Sequence, residues 1–103
     1  MPILNRAAEM QEEVAGWRRH LHQIPELGFD VFKTAEFVTQ KLKEFGCDEV
    51  ATGIGRTGVV GIIRGSQGSG RTVGLRADMD ALPLKEITGK PYASLTPGVM
   101  HAC

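Results

Sequence analysis

Apolar residues in the first quarter of the chain recur at spacings of three and four: Ala7, Met10, Val14, Trp17, Leu21 and Ile24. That spacing places them on one stripe of an α-helix and predicts a helix over residues 5–23. Pro25 ends it, because the proline ring disfavours helical geometry at Ile24; Gly28 follows, so residues 24–29 are expected to turn. A second helix is expected from Val31 or Thr34 to Phe45, with Phe37, Val38, Leu42 and Phe45 on its apolar face and Gly46 as a left-handed stop. The first stripe would also suit a coiled coil, but fewer than three heptads precede Pro25.

Beyond Gly46 the period changes. Residues 48–51 read as a short strand, residues 58–64 (Gly-Val-Val-Gly-Ile-Ile-Arg) as a continuous β-branched run, and residues 72–76 as another. The last two are expected to pair as a hairpin across Gly65-Ser66-Gln67-Gly68-Ser69-Gly70, which is rich in turn-tolerant residues. An unbroken apolar run implies burial on both faces, so helices should cover the sheet. From Asp78 to Cys103 the periodicity fades; Pro83, Gly89, Pro91, Pro97 and Gly98 mark an irregular excursion of the kind that often carries function. The pattern is α/β, with no repeat and no linker that would divide the chain.

Composition narrows the class. With 103 residues, 42% of them hydrophobic and 23% charged, the chain has the profile of one ordinary globular domain. Twelve basic and twelve acidic residues cancel and form no block, which argues against nucleic acid or a membrane surface as partner. The opening residues lack the apolar core of a signal peptide, so a cytoplasmic location is the expectation. Cys47 and Cys103 stand far apart without a secretory mark, which favours free thiols or a metal ligand over a disulfide. Cys47, after a helix-ending glycine, is read as a packing residue.

Three motifs carry possible chemistry. Gly53-Ile54-Gly55-Arg56-Thr57-Gly58 matches a dinucleotide-binding glycine pattern, but its last glycine opens a strand-like run rather than a helix. A glycine-rich turn between strands is the better reading. Leu75-Arg76-Ala77-Asp78-Met79-Asp80-Ala81-Leu82-Pro83 sets two carboxylates two residues apart at an expected strand end, a place where α/β folds gather ligands, although such acids also form turns and caps. His101-Ala102-Cys103 joins imidazole and thiolate, both suited to zinc. One pair cannot close a site, and His20 and His22, two apart on a helix, point to different faces.

Taken together, the segment from Trp17 to Phe29 (Trp-Arg-Arg-His-Leu-His-Gln-Ile-Pro-Glu-Leu-Gly-Phe), then Leu75 to Leu84, then Gly98 to Cys103 resemble the ordered signatures of the metal-dependent amidohydrolases. That family includes hippurate hydrolases, N-acyl-amino-acid amidohydrolases and auxin-conjugate hydrolases. The resemblance implies the N-terminal part of a single zinc-exopeptidase-like catalytic domain over residues 1–103, two helices followed by strands of a mixed sheet, without the lid domain. By match to a closing motif that continues Gly-His-Asp, Cys103 takes the role of a metal ligand, while His101 is not a usual one. Asp80 matches an aspartate that orients a metal-binding side chain, and Asp78 stands where related peptidases have a histidine. The implied reaction is hydrolysis of an N-acyl amino acid by water activated on two divalent ions, zinc or manganese, with cobalt or nickel as alternatives. Full-length members are expected to be homo-oligomers. Because the general-base glutamate and later ligands are not among these residues, the chain alone is expected to be inactive. The alternatives are a non-catalytic association module, using an open sheet edge and apolar helix face, and nucleotide binding through the glycine run.

Overall fold

The computed structural model describes residues 4–68 and 70–103; Met1 to Ile3, and Ser69 of the glycine-rich loop, lie outside the described residues. Three helices precede a two-stranded antiparallel sheet: α1 (Asn5–Glu9), α2 (Gln11–Gln23), α3 (Phe32–Glu44), β1 (Glu49–Ile54) and β2 (Gly58–Ile62). The chain resolves into two compact units, one of residues up to Pro25 with Ala81–Cys103, the other Glu26–Asp80.

In the first unit the expected single helix is two, interrupted at Met10. The Met10 N–H is shared between the carbonyls of Arg6 and Ala7, each at 3.2 Å, so one turn tightens before Val14 N–H resumes the helical pattern on Met10 O at 2.9 Å. No side chain caps the start of α2. Pro25 is buried and α2 stops at Gln23, as the proline requires. The apolar stripe is only partly covered: Met10, Trp17, Leu21 and Ile24 are half-buried and Val14 is exposed. Residues 81–103 contain neither helix nor strand, apart from an isolated antiparallel bridge between Leu82 and Met100.

The second unit is built on α3 and the hairpin. Val31, at the start of α3, offers no side-chain cap. Glu26 supplies one from the preceding turn: its carboxylate accepts the N–H of Lys33 at 3.1 Å and of Thr34 at 2.7 Å, and the Thr34 hydroxyl at 2.7 Å. Those amides belong to the first turn of α3, where no intrahelical acceptor exists and negative charge is favoured. At the other end, Gly46 N–H donates to Lys43 O and Cys47 N–H to Leu42 O, with Gly46 at φ 82°. This is the Schellman arrangement expected of a left-handed glycine after a helix.

β1 and β2 pair in the register Glu49↔Ile62, Val50↔Gly61, Ala51↔Val60 and Ile54↔Gly58. Between Ala51 and Ile54 β1 advances one residue more than its partner, a bulge that Gly53 accommodates at φ 72°. Gly55 and Arg56 then turn the chain, both left-handed, and a side chain on Gly58 would strike the Ile54 carbonyl. The glycine pattern is therefore a hairpin turn, as the strand-like sequence after Gly58 indicated. Thr57 is buried and donates its hydroxyl to Phe29 O at 2.9 Å, tying this turn to the one before α3.

Three expectations need correction. The hairpin partner of β2 is β1; residues 72–76 form no strand, with Val73 82% and Leu75 97% exposed. β-branched side chains favour a strand only where a neighbouring ladder receives their amides and carbonyls. Nor is the sheet covered on both faces. α3 packs on the face that holds Gly61, where a Cβ would lie 3.1–3.3 Å from Leu42 and Cys47, whereas Val60 and Ile62 point the other way and are exposed. Phe45, expected on the apolar face of α3, is the exposed residue that caps it.

Large side chains are nowhere fully buried among the described residues. The buried set is small and half polar: Val31, Thr34 and Thr57 in one unit, His22, Pro25 and Ala81 in the other. The chain exposes 8397 Å². Among the described residues no helix is long and apolar enough to cross a membrane.

Candidate functional site

The ordered centre of the 81–103 excursion is Glu86. Its side chain, 6% exposed, accepts from His22 Nε2 at 2.8 Å and from Ser94 N–H at 2.8 Å through Oε1, and from the Thr88 hydroxyl through Oε2. The Thr88 and Ser94 bonds, with a smaller contribution from His22, hold the Glu86 carboxyl below its ordinary value despite opposing desolvation. His22 lies in the last turn of α2 and is 9% exposed.

Other groups on the same stretch of α2 meet the same excursion. The Arg19 guanidinium sits 4.6 Å from the centre of the Tyr92 ring, and His22 meets that ring edge-on at 6.1 Å. Gln23 O, a helix-end carbonyl without an intrahelical donor, accepts the Leu95 N–H at 3.0 Å. Positions 19, 22 and 23 share one side of a helix, so that side of α2 meets the excursion with polar and aromatic groups.

The excursion closes on itself further on. Ser94 Oγ lies 2.7 Å from Val99 O and 3.1 Å from Thr96 O, and accepts the Thr96 N–H at 3.1 Å. Leu82 N–H donates to Met100 O at 2.9 Å and Met100 N–H to Leu82 O at 3.0 Å. His101, half-buried, and Cys103, exposed with a free thiol, follow directly.

The carboxylates singled out in the sequence lie in the other unit. Asp78 is exposed and paired with Arg76 at 2.8 Å; Asp80 is exposed; neither follows a strand, because residues 72–76 do not form one. His20 is exposed while His22 is buried, the divergence that their spacing predicts. Among the described residues, no three His, Cys, Asp or Glu side chains gather into a group able to hold a metal ion. An exposed thiol suits a borderline-soft ion as one donor, but a site needs about three protein ligands, so these residues do not by themselves fit a metal centre. Sequence reasoning missed the His22–Glu86 pair. Glu86 stands in Lys-Glu-Ile-Thr, a run without period or metal-like spacing, so its burial leaves no mark in the sequence.

The sequence that builds α2 and this excursion is homologous to that of amidohydrolases. It is 50% identical over 103 residues to a hippurate hydrolase of Campylobacter jejuni, covering 100% of this chain and 26% of that protein. It is 48% identical over 95 residues to an N-acyl-L-amino acid amidohydrolase of Geobacillus stearothermophilus, 92% of this chain and 25% of that one. A thermostable carboxypeptidase 1 of Saccharolobus solfataricus is 45% identical over 102 residues, 98% of this chain and 25% of the relative. The chain thus spans about a quarter of the length of the curated relatives it matches. No family model matches it, and no solved structure does.

Proposed function

We propose that this chain contributes to a metal-dependent hydrolase that cleaves the amide bond of N-acyl amino acids, hippurate-like compounds among them, and that the 103 residues alone do not catalyse the reaction. The observation that carries the reading is the 50% identity to a hippurate hydrolase across all 103 residues. In this reading residues 1–103 are part of one zinc-exopeptidase-like catalytic domain, and the active protein is a cytoplasmic homo-oligomer. Cys103 offers a thiolate to one of two divalent ions, zinc or manganese, with cobalt or nickel as alternatives. Asp80 orients a metal-binding side chain. The donor set supports the inactivity of the isolated chain: no three metal-binding side chains gather among the described residues.

The test is an assay of the purified 103-residue chain against hippurate and other N-acyl amino acids with each of the four ions. No hydrolysis above the metal-only blank is expected; turnover abolished by Cys103→Ser would overturn the inactivity. A second reading, an association module, is favoured by the bare sheet face of Val60 and Ile62 and by exposed Ile63, Val73 and Leu75. Light scattering separates the two readings: a monomer at high concentration removes the second.

A further inference from the structure

We propose that Ser94 and Glu86 are positioning residues that fix the segment carrying His101 and Cys103; the functional meaning of that placement rests on the reading of Cys103 as a metal ligand. Hydrogen bonds run unbroken from α2 to this segment. His22 bonds Glu86, Glu86 bonds the Ser94 amide, and Ser94 Oγ bonds the carbonyl of Val99, whose neighbour Met100 is bridged to Leu82.

Apolar burial along the excursion is sparse. Ala81 is buried and Tyr92, Val99 and Met100 are half-buried, but Ile87 at 87% and Leu95 at 73% face solvent, with Leu82 and Leu84 also exposed. Polar groups are buried beside them, His22 and the side chain of Glu86. Hydrogen bonds therefore carry much of the order in the excursion, and those to the Glu86 carboxylate are of the stronger, charge-assisted kind.

The geometry shows what is at stake. From an anchored Met100 the three remaining residues span at most about 10 Å, and from an anchor no nearer than Leu95, whose N–H is held by Gln23 O, the stretch to Cys103 spans about 28 Å. A metal ligand must return to within about 0.2 Å of its place. Ser94 is the switch between these regimes because its hydroxyl is the link from the Glu86 cluster to Val99.

Ser94→Ala in the 103-residue chain tests this, with Ser94→Thr restoring the hydroxyl and Glu86→Gln as a second route to the same link. The Met100 amide, bonded to Leu82 O, is followed by hydrogen exchange, and the α3 and hairpin amides serve as the folding control. Ser94→Ala is expected to speed exchange at Met100 about tenfold, the worth of one net hydrogen bond. The control amides keep their rates and Ser94→Thr returns Met100 to its original rate. An unchanged Met100 rate in both Ser94→Ala and Glu86→Gln overturns the proposal, as does failure of the threonine to rescue. Cobalt(II) alone, added to the active hydrolase to which this chain is proposed to contribute, is the metal probe: a cobalt–thiolate absorption lost in Cys103→Ser and weakened in Ser94→Ala supports both readings. If Met100 responds but that hydrolase shows no such absorption, the positioning role stands and the assignment of Cys103 as a ligand falls.

Discussion

The two units reach order by different routes. In Glu26–Asp80 the backbone does most of the work: a helix with matched ends lies on a hairpin whose register is set by a bulge and a left-handed turn. In the other unit a helix holds a stretch of 23 residues without helix or strand, and at the centre of that hold is one carboxylate with three hydrogen-bond donors, joined by the Arg19–Tyr92 contact and the Leu95 N–H on Gln23 O. Periodic structure spreads its stabilisation over many equivalent bonds, so the loss of one is local. A hub concentrates it, so loss of the hub frees everything attached.

Mutations can break that contrast. Glu86→Ala should have the largest effect: exchange at Leu82, Ser94, Leu95 and Met100 is expected to rise about a hundredfold or more, because two or three charge-assisted bonds go together and buried donors lose their acceptor. The α3 and hairpin amides should be unaffected, and an equal rise in both units would erase the distinction. Gly61→Val does the reverse. With Leu42 and Cys47 already 3.1–3.3 Å from the position of a Cβ, overpacking should cost about 1–3 kcal/mol, read from the urea midpoint of the α3–hairpin unit. Glu26→Ala removes the acceptor for the first turn of α3 and should cost about 0.5–2 kcal/mol in the same measurement, with Glu26→Gln in between.

Acidification should give the smallest effect. The Glu86 carboxyl titrates below its ordinary value in the folded chain, chiefly through Thr88 and the Ser94 amide, with His22 adding to them. Its contribution is fully present above the ordinary glutamate value and is lost as the pH falls through the folded one. Urea midpoints of the parent chain and Glu86→Gln should therefore differ at neutral pH and converge below the ordinary value of 4.5. A gap that persisted at low pH would mean that the charge of Glu86 is not what binds the excursion.

What was legible in the sequence followed from local physics. The ends of α2 and α3 fall where Pro25 and Gly46 place them, because both act through their own backbone geometry. The glycine run was correctly a turn, since the residues after Gly58 had strand character. Partner choice was not legible: residues 72–76 have the composition of a strand, but composition does not say whether a ladder lies alongside. The Glu86 cluster was hidden for a related reason. His22, Glu86 and Ser94 are separated by up to 72 positions and share no period, so only the path of the chain makes them neighbours. Asp80 and Cys103 were found through the resemblance to amidohydrolases, and their roles remain tied to the proposed chemistry.

Glu26 lies in the Pro-Glu-Leu-Gly signature by which the chain first resembles those enzymes, and its carboxylate is spent on the opening turn of α3. A search that uses this signature to find hydrolases is therefore sorting proteins by how a helix begins. It will gather chains that share ancestry and an architectural joint whether or not they can split an amide.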